Sequence, residues 1–489
     1  MDELKKSEQE QLQSINSNCA QVSDLASTEL ILDPVSERRI RRKIDLVVLP
    51  LMCLVFFTQY LDKQSLAYAA VFGLVTDFDL HGTQYSWLGS IFFIGQLVSE
   101  FPFMYLMSKL PLARFVGFTV IVWGIVCMCL AAAPSYKAFL GVRFALGFAE
   151  GAVSPAFVSL TSIWYTRKEH PLRIGLWISC NGLAQVLGAL LMYGIGRMDV
   201  SLAAWKVMFL VCGAMTTFLG IVFTILMPAG PDTAWFLSPS ERLQAKQRLQ
   251  KESEGGDQTQ FSLDQLKEAV KDIRTYLTFC FGVLITLPAP VIAFASLIIS
   301  GLGYDKFDTM LYTSPSGAVQ ITFIWIAIGF CYLWPNHRCA VVIGLTIVPM
   351  IGIVLLFLLP LSGWGMIVAS WLAPVTSNIF TILLSLSASN VRGNTKKSIV
   401  NAMFFVGYAV GAIGGPQLWN SKNAPRYRSG LVLALASWVA LIANVRIYWY
   451  SCYRENVKRS AGDGQQGEIA GEISQDCTDK KDKKFRYTT

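Results

Sequence analysis

Long apolar runs, each close to the ~20 residues that cross ~30 Å of hydrocarbon as a helix, alternate with short polar breaks along most of the chain. They fall near 44–63, 84–107, 115–133, 136–164, 174–196 and 205–227, then 275–299, 312–334, 339–360, 364–388, 398–419 and 429–452. Pro134 and Lys137 divide what is otherwise one apolar stretch from 115 to 164. This pattern predicts an all-α polytopic membrane protein with 12 transmembrane helices in two six-helix halves, 44–228 and 275–452. Halves of equal span number suggest two structural repeats packed about a central pathway. The polar remainder is an N-terminal tail, 1–43, a connector, 229–274, and a C-terminal tail, 453–489. In the connector, Ser238-Pro239-Ser240-Glu241 reads as a capping box with proline at the first helical position, and Ser262 with Gln265 begins a second surface helix. The tail beyond about residue 460, rich in Gly, Gln, Asp and Lys, is expected to be disordered.

Charged residues make up 15% of the 489-residue chain, where a soluble domain averages about 25%. The two tails and the connector hold 15 charges each, so the rest of the chain is only about 8% charged. That is too few to wet the surface of a soluble fold of this size. The stretch before the first span is hydrophilic, unlike a signal peptide, and ends in the basic cluster Arg38, Arg39, Arg41, Arg42 and Lys43. Loop lysines and arginines are nearly balanced, nine against eight, so this cluster decides the orientation. It predicts cytoplasmic termini and a cytoplasmic connector. The plasma membrane is the expected location, a vacuolar membrane the alternative. The eleven cysteines lie mostly singly in apolar runs and the three histidines fall in loops, so neither a disulfide framework nor a metal site is expected.

Ionisable groups inside spans are costly and usually face a bundle interior or a wet cavity. Span two holds Glu100, and span four holds Arg143 and Glu150, which share a helical face with Gly147 and Ser154. Arg143 and Glu150 stand about 10 Å apart along the axis, so each is expected to pair with a neighbouring helix. Asp62 and Lys63 end span one. Lys63 is expected to line the pathway and attract an anion, with Gln59 one turn earlier on the same face. Asp62 would hold the lysine or join a proton relay, and interfacial anchoring is the alternative for both. Arg446, near the end of span twelve, is expected to snorkel to the headgroups. No Asp or Glu occurs between Asp308 and Glu455, so the candidate proton carriers are Asp62, Glu100 and Glu150. The second half offers uncharged contacts from Gln320, Asn378, Asn401 and Tyr408, with interhelical hydrogen bonding as the competing role. Asn181 and Gln185 in span five complete the candidate substrate-binding set with Lys63, Gln59, Arg143, Gln320 and Asn378. Pro288 and Pro290 in span seven and Pro374 in span ten predict kinks. Gly188, Gly194 and Gly196, like Gly407, Gly411 and Gly414, permit close helix approach.

The segments YLDKQSLAYA at 60–69, SEFP at 99–102, RFALGFAEGAVSP at 143–155, FLSPSERLQAKQRL at 236–249 and GNTKKSIVNAMFFVGYAVGAIGGPQLW at 393–419, with APRY at 424–427, stand in order along the chain. In these the sequence resembles the major facilitator superfamily, and within it the fungal allantoate permease-like branch of anion:cation symporters. The resemblance implies a rocker-switch transporter with a central cavity, commonly proton-coupled and moving small organic anions such as ureides, vitamins or other carboxylates. It also implies that Asp62 and Lys63 occupy the family's Asp-Arg at the end of span one, Glu100 its Glu-x-Pro, and Arg143, Gly147 and Glu150 its span-four motif. There are departures. Lys63 replaces the usual arginine and loses the bidentate fork that grips a carboxylate. Gln64 and Ser65 replace the small polar residue and asparagine that usually follow, and the charged cluster between spans eight and nine is reduced to Asn336, His337 and Arg338. The expectation is a proton-coupled carrier of a small organic anion rather than an enzyme. Its partners are the anion, protons and the lipid bilayer; no cofactor or nucleic acid is expected, and the chain is expected to act as a monomer. Efflux of a drug or secondary metabolite is the alternative within transport, although Asn181-Gly182-Leu183-Ala184-Gln185 lacks the proline of an antiporter motif. A non-transporting nutrient sensor would share the fold.

Overall fold

The computed structural model describes residues 34–151, 153–166, 169–253, 262–360, 363–419, 426–462, 478–482 and 485–489. Most of the N-terminal tail, the loop residues Arg167 and Lys168, and residues 463–477 of the expected disordered tail lie outside the described residues. Among those described, every regular element is helical, and eleven stretches are long and apolar enough to cross a membrane. Span one is α1, Pro34–Ala69, followed by a π-turn at Ala70–Leu74. Span two is α2, Gln84–Lys109, the one predicted span outside those eleven; its 26 residues are about 39 Å long at 1.5 Å per residue, enough to cross. Spans three to six are α3, Leu112–Cys129; α4 and α5, Tyr136–Glu150 and Val153–Trp164; α6, His170–Gly196; and α7, Ala204–Leu226. The connector carries α8, Pro239–Ser253, and α9, Leu263–Lys271. Span seven is α10, Ile273–Thr286, with α11, Pro290–Ser300, and span eight is α12, Lys306–Thr313, with α13, Pro315–Leu333. Then come α14, Arg338–Leu358; α15 and α16, Trp364–Leu372 and Ser377–Ser389; α17, Asn394–Gly414; and α18, Arg428–Gly462.

Local chemistry accounts for most of these ends. The predicted capping box is formed: Ser238 N donates to Glu241 Oε2 at 2.9 Å and Glu241 N to Ser238 Oγ at 3.3 Å, with Pro239 opening α8. Ser262 caps α9, and the Asp272 carboxylate caps α10 by accepting from Arg274 N. The prolines break span seven at Pro288–Pro290 and span ten at Pro374, where a lost donor and a ring clash interrupt the ladder. Span four breaks four residues before Pro155, whose missing N–H would have bonded the Gly151 carbonyl, and span one is interrupted without a proline. The α4 helix ends at Gly151, and α1 gives way to the π-turn around Gly73, whose φ of 105° suits only glycine.

Each half has its own apolar core, and backbone contact between helices sets the geometry inside it. A Cβ on Gly147 would stand 1.9 Å from the Phe92 carbonyl oxygen, so α4 touches α2 backbone to backbone. The same device joins α17 to α10, where a Cβ on Gly407 would lie 2.2 Å from Phe279 O. Gly147→Leu is therefore expected to force these helices apart at a cost of about 1–3 kcal/mol or more. Thermal unfolding of the purified variant checks it: a midpoint equal to wild type would show that the contact relaxes freely.

The connector, the start of α1 and the described C-terminal residues share one face of the molecule. There, α8 is tied to the first half by Lys43–Glu241 at 2.7 Å and Arg248–Glu169 at 3.1 Å, beside Arg173–Asp45 at 2.8 Å. Burial alone would push the Glu169 carboxyl up, but Arg248, the Thr166 amide and Arg173 outweigh it and hold the group below its ordinary range. The second half repeats the arrangement around Lys396, 1% exposed, whose Nζ meets Glu268 at 2.9 Å, Asp272 at 3.1 Å and Asp479 at 2.8 Å.

Several boundaries differ from the sequence expectation: span one continues past Asp62 and Lys63 to Ala69 instead of ending on them, and span twelve runs to Gly462 rather than 452. The first helix begins at Pro34 rather than near 44, so the basic cluster is helical. The tail is ordered beyond residue 460 wherever it is described. Asp479 reaches Lys396, Tyr487 Oη donates to Asp479 Oδ2 at 2.7 Å, and Arg459 donates to the carbonyls of Asp479, Asp482 and Phe485. Charge pairing with a buried lysine supplies the energy that the tail's polar composition does not.

Lys396→Met would leave three carboxylates without their shared cation, and such losses cost on the order of 3–5 kcal/mol. The expected result is a thermal midpoint several degrees below wild type in detergent solution. Burial would raise the Asp272 carboxyl, but Arg274, Lys396 and Lys480 hold it at about 2. Its share of stability is complete above the ordinary value of ~3.9 and is lost only as pH falls through the depressed one. The midpoint difference should therefore hold constant from pH 5 to pH 8 as far as Asp272 is concerned. A midpoint unchanged by Lys396→Met would show that the network contributes nothing.

Candidate functional site

Lys63, Arg143 and Glu150 meet where α1, α2 and α4 come together. Lys63 Nζ lies 2.9 Å from Glu150 Oε1; the lysine side chain is 25% exposed and the glutamate fully buried. Glu150 thus pairs with a neighbouring helix and not with Arg143, as the axial spacing implies. Gln96 Nε2, one helix over, approaches the same carboxylate oxygen at 3.5 Å. Lys63 Nζ and the Arg143 guanidinium both stand over the Phe92 ring, at 5.7 and 5.8 Å from its centroid. That ring is fixed by the Gly147 contact beneath its backbone. Two cations therefore stand over a single aromatic shelf, one of them paired with the Glu150 carboxylate.

Asp62 is placed differently from the expectation that it steadies Lys63. Trp123 Nε1 donates to its Oδ2 at 2.6 Å and Thr216 Oγ1 at 3.0 Å, with Cys127 Sγ 3.6 Å from Oδ1, so it is buried against α3 and α7. Consecutive helical residues point about 100° apart, and Asp62 and Lys63 cannot share one face. Glu100 lies one turn beyond Gln96, half-buried, and among the described residues its carboxylate makes no ion pair or hydrogen bond. Arg446 is exposed on α18.

The remaining candidates lie across the boundary between the halves. Gln320 Nε2 donates to Gln185 Oε1 at 2.6 Å and Gln185 Nε2 to Ser316 Oγ at 2.5 Å, a tie between α6 and α13 rather than two free ligand contacts. A ring path Phe92, Phe93, Tyr408 and Phe380, with steps of 5.3, 6.3 and 5.6 Å, crosses from one half to the other. Several buried polar atoms of the candidate residues lack a hydrogen-bond partner among the described residues: Gln59 Nε2, Glu150 Oε2 and Arg143 Nε in the first half, Gln320 Oε1 and both amide atoms of Asn378 in the second. Asn181 Oδ1 and Asn401 Oδ1 are in the same condition. An orphaned buried polar group costs about 1–3 kcal/mol, so each of these atoms is a candidate to bond a polar guest. Sequence reasoning missed Gln96 and Phe92. The first carried a signal, an amide inside an apolar run; the second, an apolar residue among others, carried none.

Away from the connector face the halves are stitched together. Ser86 Oγ donates to Trp419 O at 2.9 Å, Ser90 Oγ to Ile413 O at 2.8 Å, and Gln417 Nε2 to Ser90 Oγ at 2.8 Å. Phe307 of the second half packs between Phe72 and Tyr193 of the first, at 6.0 and 5.6 Å. On the connector face each half instead keeps its own ion-pair network.

The comparisons agree with this architecture. The chain is 30% identical over 479 residues to the allantoate permease of Saccharomyces cerevisiae, covering 94% of this chain and 88% of that protein. It is 35% identical over 467 residues to an uncharacterized transporter of Schizosaccharomyces pombe, covering 94% and 90%. In fold it is similar to the solved structure of a bacterial homolog of the human lysosomal transporter Spinster, in an inward-facing and unoccupied conformation. The TM-score there is 0.59 and the identity 13%, over 82% of this chain and 94% of that one. The Major Facilitator Superfamily profile matches residues 52–416, the span that contains the Lys63–Glu150 pair and both walls of the boundary, and the chain belongs to that superfamily of membrane transporters.

Proposed function

We propose that this transporter carries a small organic anion, a carboxylate, ureide or vitamin-like acid, by proton-coupled alternating access. The observation that carries the reading is the Lys63–Glu150 ion pair standing on the wall between the halves, with Arg143 on the same ring. While Glu150 is ionised it neutralises Lys63 and competes with an incoming anion. A proton on Glu150 removes that competitor and frees the ammonium for the substrate, so anion and proton bind together. Glu150 suits this role better than the other two acids: the oxygens of Asp62 are taken by Trp123, Thr216 and Cys127, and Glu100 has no cation beside it. Gln59, Asn181 and Asn378 supply neutral contacts, and the Gln185–Gln320 tie must loosen or pivot as the halves rock. A lysine where the resemblance leads one to expect arginine grips a carboxylate as a point charge, tolerating varied ligand shapes.

The permease among its relatives makes allantoate the first anion to test, followed by other ureides and short carboxylates. Uptake by cells expressing the protein, measured at external pH 5 and pH 7.5, decides the reading: stimulation at the lower pH supports it, and anion uptake indifferent to pH contradicts the coupling. The monomeric chain works in the plasma membrane with termini and connector in the cytoplasm.

A further inference from the structure

The connector helix α9 has two unlike faces. One, Gln265, Ala269 and the Glu268 carboxylate, is held to the second half: Gln265 Oε1 accepts from the Thr395 amide at 3.0 Å, and Glu268 meets buried Lys396. The other is open and apolar, with Leu263 63% and Val270 52% exposed. Only Asp272 separates α9 from span seven, and the open stripe continues without interruption onto that span through Ile273 and Tyr276, 61% and 49% exposed. Tyr276 Oη donates to Val270 O at 2.8 Å, joining the two segments at the bend. Along one edge of the stripe stand Lys267 and Lys271, both exposed. Lys480 of the C-terminal segment adds a third ammonium, 3.5 Å from Asp272. Asp264 is the only exposed acid on α9.

An apolar stripe joined to a lipid-facing span and bordered by lysines is the pattern of a helix lying in the headgroup layer. We propose that α9 is an interfacial helix whose lysines, with Lys480, bind the headgroups of anionic lipids. The stripe enters the acyl boundary beside span seven, and the ammonium groups snorkel outward to lipid phosphates and carboxylates. Because the opposite face of the same helix holds Lys396 and, through it, Asp479, lipid charge is read directly by the network that orders the C-terminal segment. The inference rests on the membrane fold and not on the substrate assigned above.

Amide hydrogen exchange on the full-length protein tests it, in nanodiscs of phosphatidylcholine alone and of phosphatidylcholine with phosphatidylserine. Exchange across 263–271 is expected to slow on the order of tenfold in the anionic discs, with α14 unchanged as an internal control. In the Lys267→Gln/Lys271→Gln variant, whose exposed side chains leave the fold intact, that difference should disappear. Equal exchange of the wild-type helix in both lipids would overturn the proposal and leave this face to a soluble partner. A lipid difference that persists undiminished in the variant would overturn the assignment of the lysines.

Discussion

Lys63→Ala is expected to abolish transport, lowering uptake by about a hundredfold or more, while the protein still reaches the membrane in normal amount. Removing the ammonium leaves the fully buried Glu150 carboxylate without its counter-charge, a loss on the order of 3–5 kcal/mol. It also removes one of the two cations over the Phe92 ring. A stranded carboxylate relieves itself by taking up a proton, which is why folding should survive while function does not. Lys63→Arg keeps the charge over the Phe92 shelf and is expected to retain measurable uptake. Uptake measured alongside surface labelling separates the two effects. Near-normal transport by the alanine variant would remove Lys63 from the mechanism.

Glu150→Gln should split coupling from binding. The neutral amide resembles the protonated acid in shape, so Lys63 stays available to the anion and downhill exchange continues. Accumulation against a gradient should fail, with the ratio of internal to external substrate approaching one even under an imposed pH gradient. Exchange and accumulation assays on the same proteoliposomes check both halves of the claim. A variant that still accumulates substrate in response to pH would shift the coupling to Asp62 or Glu100. The same assays on Asp62→Asn and Glu100→Gln then identify which.

Much of this fold is legible in the sequence because the bilayer imposes its own ruler. Apolar runs of spanning length, the Ser238 and Ser262 caps and the proline breaks follow from local rules that need no tertiary information. The charges of the site are equally visible, since an ionisable group inside a span needs a reason to be there. Their partners are not. Which carboxylate meets Lys63 depends on the rotation of α4 against α1, and that rotation is set by backbone contacts such as Gly147 on Phe92, which involve residues without charge. The turning away of Asp62 was available in principle, because adjacent helical residues diverge by about 100°. The pairing of Gln185 with Gln320 joins residues 135 positions apart, beyond any local pattern. The C-terminal segment is the sharpest divergence: its composition reads as a solvated tail, and it docks on partners elsewhere in the chain, Lys396, Arg459 and Asn390 among them.

The central claim is that anion and proton move together through the Lys63–Glu150 site. The most direct measurement follows both fluxes in proteoliposomes holding a pH-sensitive dye, with a panel of small carboxylates and ureides added outside at pH 5.5. Wild-type protein is predicted to acidify the lumen only when a transported anion is present, and Lys63→Ala to do so with none of them. Anion entry without acidification, or acidification without anion, would contradict the account.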